Sequence, residues 1–367
     1  MATCVCKQVT DCPSIFIMHN GLSVHNPVNV DAHNIYLYLT RDYHGIFDIS
    51  YNERKLVWLN SQGFCPINFE RIELLRLHSY DDAIEERKEE RSMKDVELIG
   101  IREQNLHSMQ DYVEGLIMIL SINDDVGHLK DVIAPIVADW PGQLFIRKAL
   151  TYLFKNHPSI PQEIVNFLPI IGPLHVSLNS REQVIKTYHF LFEKFFHFVF
   201  GDKKVLAKKP KPWRINLLLE LINCGWKKIR TEVINKFGDV CKDIEYRMII
   251  DLLDNIVPTV LDVYAILFQS GSFDQYLESI FRIWTFALRW KRHNYNKAPL
   301  VFLSDVFYWK DIKHPFFEAI KNYLVNFNDY YVENMHSHLR ANISPTSSTE
   351  NIIKHAYVIS KCIFNCY

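Results

Sequence analysis

Asp139, His175 and Glu333 each stand in a polar island with apolar surroundings: PIVADWPGQ, FLPIIGPLHVSLNSRE and VENMHSHLR. A carboxylate at the end of a buried strand faces the edge of a sheet, where open α/β proteins bind their ligands. Magnesium takes oxygen ligands, commonly one or two carboxylates together with substrate phosphates. Asp139 and Glu333 are therefore candidate metal ligands, and with His175 they are candidate catalytic residues. Each also has a plainer reading. Asp139 can cap the helix that follows Pro141. His175 can ligate a metal, contact a phosphate or satisfy a buried turn. Glu333, near a helix N-terminus, is stabilised by the helix dipole alone. Glu333, His336 and Arg340 share one helical face, so His336 and Arg340 are placed to support a Glu333–metal contact from behind. There is no acidic residue between positions 164 and 181, where Gly172 stands near the end of an apolar run.

The second chemical signal is basic. KKVLAKKPKPWR at 203–214 precedes WKKIR at 226–230. Cations interleaved with tryptophan suit phosphate contacts and base stacking. The candidates are Lys203, Lys204, Lys208, Lys209, Lys211, Trp213, Arg214, Lys227, Lys228 and Arg230. Residues 140–230 hold 15 Lys and Arg against 5 Asp and Glu, whereas the rest of the chain holds 26 against 37. A net charge of −1 thus conceals a basic centre between acidic flanks. KKPKPWR also reads as a nuclear import signal, and its plain alternative is a solvated loop. RWKRH at 289–293 adds a further cluster.

These residues need elements to hold them. VELIGI at 96–101, VIAPIVAD at 132–139 and NFLPIIG at 166–172 are short and apolar and read as strands. The strands near 96–101, 132–138 and 166–171 are expected in one sheet. Ser108, with Asp111 three residues on, opens a helix. Strand, helix, strand, helix is the α/β order. From about 180 the pattern changes to long apolar periodicity, predicting helices over 181–200, 213–237, 243–268, 272–292, 299–309 and 315–327. The Glu333 island starts another helix. Ser347 and Glu350 suit a capping box for a last one, 350–361. Residues 1–34, with Asn20, Gly21, Pro27 and others, read as irregular. IYLYL and KLVWL fit strands or short helical turns. DDAIEERKEERSMK at 81–94 reads as a solvated helix or loop.

Length and composition bound the rest. Apolar residues at 48% and charged residues at 23% are ordinary for a folded protein with an ample core. No run of about 20 apolar residues predicts a membrane span. MATCVCKQVTDC lacks an apolar signal core. The expectation is a nuclear or cytoplasmic protein without a membrane partner, not secreted. Eight cysteines are too sparse for a disulfide scaffold. Cys4, Cys6 and Cys12 read as free thiols or as the remnant of a metal knuckle.

ADWPGQLFIRKAL, GPLHVSLNSRE and YYVENMHSHLR together resemble an uncharacterised family found in large, expanded sets in some eukaryotic genomes, over roughly residues 75–360. The order of Asp, H-x-x-LN and late Glu is similar to transposon-derived proteins of ribonuclease-H-like fold. The resemblance implies an α/β core sheet with a large all-helical insertion before the final Glu, helix-dominated overall. It divides the chain into an irregular, truncated-looking 1–80, a first part of the core at 81–180, a basic helical insertion at 181–330 and core-completing helices at 331–367. It further implies phosphoryl transfer on nucleic acid, DNA ahead of RNA, with Mg2+ or Mn2+ held by acids such as Asp139 and Glu333. Because the middle acid is missing, a degenerate nuclease- or transposase-like site is expected. The alternative is a non-catalytic helical interaction or structural protein.

Overall fold

The computed structural model describes residues 2–9, 11–28, 30–42, 85, 87–126, 129–344 and 346–365. Among the described residues helix dominates, and three two-stranded sheets accompany it. The chain forms two compact units. The first joins Met1–Val30, Arg87–Leu174 and Val301–Tyr367, and the second joins Asp31–Glu86 and His175–Leu300. The segment 301–330, expected with the helical insertion, thus falls with the strands.

In the first unit, strand β1 (Ala2–Lys7) is met later by β4 (Val96–Arg102), antiparallel, with a register shift at Cys4 and Val5. Strands β2 (Met18–His19) and β3 (Leu22–Ser23) make a minimal hairpin. Its turn is Asn20-Gly21, both at positive φ, the pair a two-residue hairpin turn favours. The irregular start expected for residues 1–34 is therefore corrected: a strand and a hairpin lie there. Strands β5 (Ala134–Ala138) and β6 (Phe167–Ile171) pair in parallel, Ala138 opposite Ile171. The single-sheet expectation is corrected too, since β4 is taken by β1 and not by the β5–β6 pair. Two hydrophobic centres form among the described residues of this unit. Helices Met109–Val126 and Trp140–Leu153 close on Phe167 through Val113, Leu116, Ile146 and Leu150. Helices Tyr330–Asn342 and Thr349–Asn365 bring Tyr331, Met335, Leu339 and Ala356 onto Val96 and Ile101.

Several local expectations hold. Ser108 Oγ accepts the Asp111 N–H at 3.2 Å while Asp111 Oδ2 accepts the Ser108 N–H at 2.9 Å, a reciprocal cap. At the last helix the cap moves by one residue, because Ser348 Oγ, not that of Ser347, accepts the Asn351 N–H. The IYLYL run is helical, within Ala32–Asp42, whereas KLVWL lies outside the described residues. Of the charged 81–94 run, Lys88–Arg91 forms one helical turn, and the buried Arg91 and Met93 tie it down.

In the second unit, helices Pro173–Thr187, His189–Phe200 and Pro212–Phe237 share a core with the region around 252–261. Phe192, Leu218, Leu219, Ile256 and Val260 are wholly buried in it. Each such side chain contributes about 1.5–3 kcal/mol. The helical run from Ile244 to Gln269 contains two π-helical stretches, Leu252–Ile256 and Thr259–Val263, on either side of Pro258. Proline has no N–H to donate to the ladder, and a widened turn is one way a helix continues past such a break.

Candidate functional site

The first two islands are strand-to-helix turns. Asp139 follows β5, and its Oδ1 accepts the Gly142 N–H at 3.0 Å, capping the helix Trp140–Leu153 with Pro141 in the first turn. A Cβ at Gly142 would stand 2.7 Å from that of Ala138, so the turn needs glycine there. Gly172 follows β6, and its N–H donates to the Ala138 carbonyl at 2.7 Å. Pro173 then begins the next helix, seven residues before the start expected at Ser180. His175 lies in the first turn of that helix, half-buried, and its carbonyl accepts Asn179 Nδ2 at 2.8 Å. His175 and Asn179, four apart, share one face of this helix.

The residue that reaches these strand ends from the late part of the chain is Asp329. It is 5% exposed, and its Oδ1 accepts the Leu174 N–H at 2.9 Å. A Cβ at position 172 would overlap its carboxylate. Segment 164–181 supplies no acid of its own, and the one at the end of β6 comes from 155 positions beyond Leu174. Asp139 and Asp329 thus both serve the carboxyl ends of the parallel pair, each capping the helix that leaves it. Glu333 lies one turn past Asp329. Its helix buries Tyr331, Met335 and Leu339 against the β1–β4 side, and its Oε2 stands 3.9 Å from Arg340 Nη2. His336 faces β1, with Nε2 3.0 Å from Thr3 Oγ1, and burial lowers its pKa. Among the described residues no group of three or more His, Cys, Asp and Glu side chains is placed to hold a metal ion. Cys4 and Cys6 lie in β1, Cys6 exposed, and burial pushes the Cys4 thiol up to about 12, which disfavours its thiolate.

The basic candidates divide. Lys203, Lys204, Lys208, Lys209 and Lys211 are exposed on the connection into Pro212–Phe237, and Lys227 and Lys228 are exposed within that helix. Trp213 is 57% exposed. The Arg214 guanidinium stands 4.9 Å from the Trp213 ring and 5.7 Å from that of Phe196. Such a stacked cation holds an aromatic face in place. Arg230 behaves differently. Its Nε and Nη2 donate to the two oxygens of buried Asp254 at 2.8 and 2.9 Å, and Trp226 Nε1 donates to the same carboxylate at 2.7 Å. Trp226 is thereby built into the helical core, whereas Arg230, its side chain 38% exposed, is engaged by Asp254 at the edge of that core. Alternating exposure along the helix is the signal that separates them: Trp226 and Arg230, four apart, share a face with the buried Ile222.

The fold and its charges define a helix-dominated protein with small sheets and a basic, aromatic face on the helical unit. No family model, curated protein or solved structure matches this chain. Among the described residues no helix is long and apolar enough to cross a membrane.

Proposed function

We propose that this chain binds nucleic acid through the basic face of its helical unit. The observation that carries this reading is five exposed lysines between 203 and 211 leading into the exposed, arginine-stacked Trp213. Lysines supply sequence-independent attraction to phosphates, and an exposed indole supplies a platform for an unstacked base. Single strands therefore fit this face better than duplex. With it we propose the transposase-derived, ribonuclease-H-like ancestry implied by the motif order, with phosphoryl transfer by Mg2+ or Mn2+ reduced or lost. Supporting that part are the acids at the ends of β5 and β6, both engaged as helix caps. The test is fluorescence anisotropy with single-stranded and duplex DNA and RNA across a salt series. Binding at low salt that weakens in the triple variant Lys208→Glu, Lys209→Glu, Lys211→Glu supports the reading. Absence of salt-dependent binding removes it. That result would favour the other reading, a protein-interaction module, for which the observation is Phe198, Val240 and Ile244, each more than 80% exposed.

A further inference from the structure

Next to the lysine segment lies a small open cleft of about 220 Å³. That is below the roughly 300–1,000 Å³ of sites for drug-sized molecules, so any occupant is a single small ring. Its walls come from the helix Pro173–Thr187 and from the Pro-Lys-Pro approach to the next helix, with Leu178, Pro210, Pro212 and Ile215 as apolar surfaces. Its polar lining is Asn179, Arg181, Glu182 and Asn216, and each asparagine is half committed. Asn179 spends Nδ2 on the His175 carbonyl at 2.8 Å. Asn216 spends Oδ1 on Arg181 Nη1 at 3.1 Å. Arg181 is itself buried and anchored on the Val260 and Leu261 carbonyls at 3.0 and 2.8 Å, which fixes the orientation of Asn216. Asn179 Oδ1 and Asn216 Nδ2 make no hydrogen bond among the described residues, and they offer the cleft one acceptor and one donor. Glu182, also at the rim, is paired with Lys186 one turn on.

We propose that this cleft receives a single unstacked nucleobase of a bound strand. The proposal rests on the nucleic-acid reading above and goes beyond it by naming a base site distinct from Trp213. Three features favour a base. The proline surface of the cleft accepts a planar ring without requiring a particular one. The edge of every base carries a donor near an acceptor, complementary to the Asn179 and Asn216 pair. Lys208, Lys209 and Lys211 alternate with the cleft-lining prolines, so the cations that hold phosphates flank the slot that would take the base between them.

The experiment compares a single-stranded homopolymer with an abasic strand of the same length, so that charge is constant and only bases differ. Loss of a well-seated base is worth roughly tenfold. It is carried out in the Trp213→Ala protein to remove stacking on the indole. The expected result is that the base-containing strand still binds about tenfold tighter and that adding Asn216→Asp abolishes the difference. Asn216→Asp keeps an oxygen for Arg181, so the fold is retained, and circular dichroism verifies this. Its added charge weakens both strands alike and cancels in the ratio. If Trp213→Ala alone brings the ratio to one, or if the ratio survives Asn216→Asp, the base cleft is overturned while salt-dependent binding keeps the nucleic-acid reading. If neither strand binds at low salt, both are overturned.

Discussion

Asp139 shows how one side chain can satisfy a local need that sequence spacing also offers to a metal. Its Oδ1 holds the Gly142 N–H, so the direct consequence of removing it is an uncapped helix. Asp139→Ala is expected to lower stability by about 1 kcal/mol, and Asp139→Asn by much less, because asparagine caps nearly as well. Chemical denaturation midpoints check this. Any magnesium- or manganese-dependent nicking would instead fall with both substitutions. Gly172 is held to glycine by a carboxylate from far along the chain. Gly172→Ala is expected to cost about 1–3 kcal/mol through overlap with Asp329. A double-mutant cycle with Asp329→Ala should be non-additive, since removing the carboxylate vacates the space the methyl needs. His25 gives the residue-scale pH dependence. Its Nε2 lies 2.7 Å from the Val165 carbonyl. Burial lowers its pKa to about 4, the Val165 bond opposes this, and Arg147 and His314 lower it further. The unfolded chain takes up that proton first, near the ordinary pH of about 6.5. Stability is therefore full above about 6.5 and is lost as pH falls toward 4, by up to about 3 kcal/mol. Asp305, its carboxyl raised by burial against the opposing pull of Arg147, contributes with the opposite sign. The check is the difference between wild type and His25→Gln in denaturation at pH 7 and pH 5, which isolates the histidine.

At the scale of elements, the helix Pro212–Phe237 carries two roles on two faces. Ile215, Leu218, Leu219 and Ile222 join the core of the helical unit. Trp213, Lys227 and Lys228 face outward. Between the faces, Trp226 and Arg230 grip Asp254, which sits in the first π-helical stretch. Substituting Arg230 should therefore read as a stability defect. Arg230→Ala is expected to cost about 2 kcal/mol, the worth of hydrogen bonds to a charged group, while nucleic-acid affinity at a temperature where the variant is folded changes little. Thermal unfolding and anisotropy on one preparation separate the two effects. A large loss of affinity with unchanged stability would return Arg230 to the binding face.

At the scale of the molecule, a basic centre in a nearly neutral chain predicts a salt-dependent partner rather than a general charge effect. For single strands the slope of log affinity against log salt is roughly −0.7 per phosphate neutralised. Replacing Lys208, Lys209 and Lys211 by alanine should make that slope shallower by about 2. An unchanged slope would place the phosphate contacts elsewhere, with the RWKRH cluster at 289–293 as the next surface to test.

Local patterns alone determined much of this protein. The strands at 96–102, 134–138 and 167–171, the Ser108 cap and the run of helices after about 180 all follow from side-chain period and from hydrogen bonds spanning three or four residues. Those interactions are written into neighbouring letters. The exposed lysines and Trp213 were equally legible, because charge with no apolar stripe around it stays in water. Pairing was decided elsewhere. That β4 joins β1 depends on a partner some 90 positions away, and either strand's composition would have suited the β5–β6 pair as well. The Asn20-Gly21 pair carries a hairpin signal, diluted by the prolines and asparagines around it. Asp329 is the clearest case. Nothing around it in sequence distinguishes it from a turn aspartate, and only the close approach of its carboxylate to the backbone at Gly172 and Leu174 makes it the acid at the end of β6. Hydrogen bonds between distant segments have no period, so tertiary structure alone could place it.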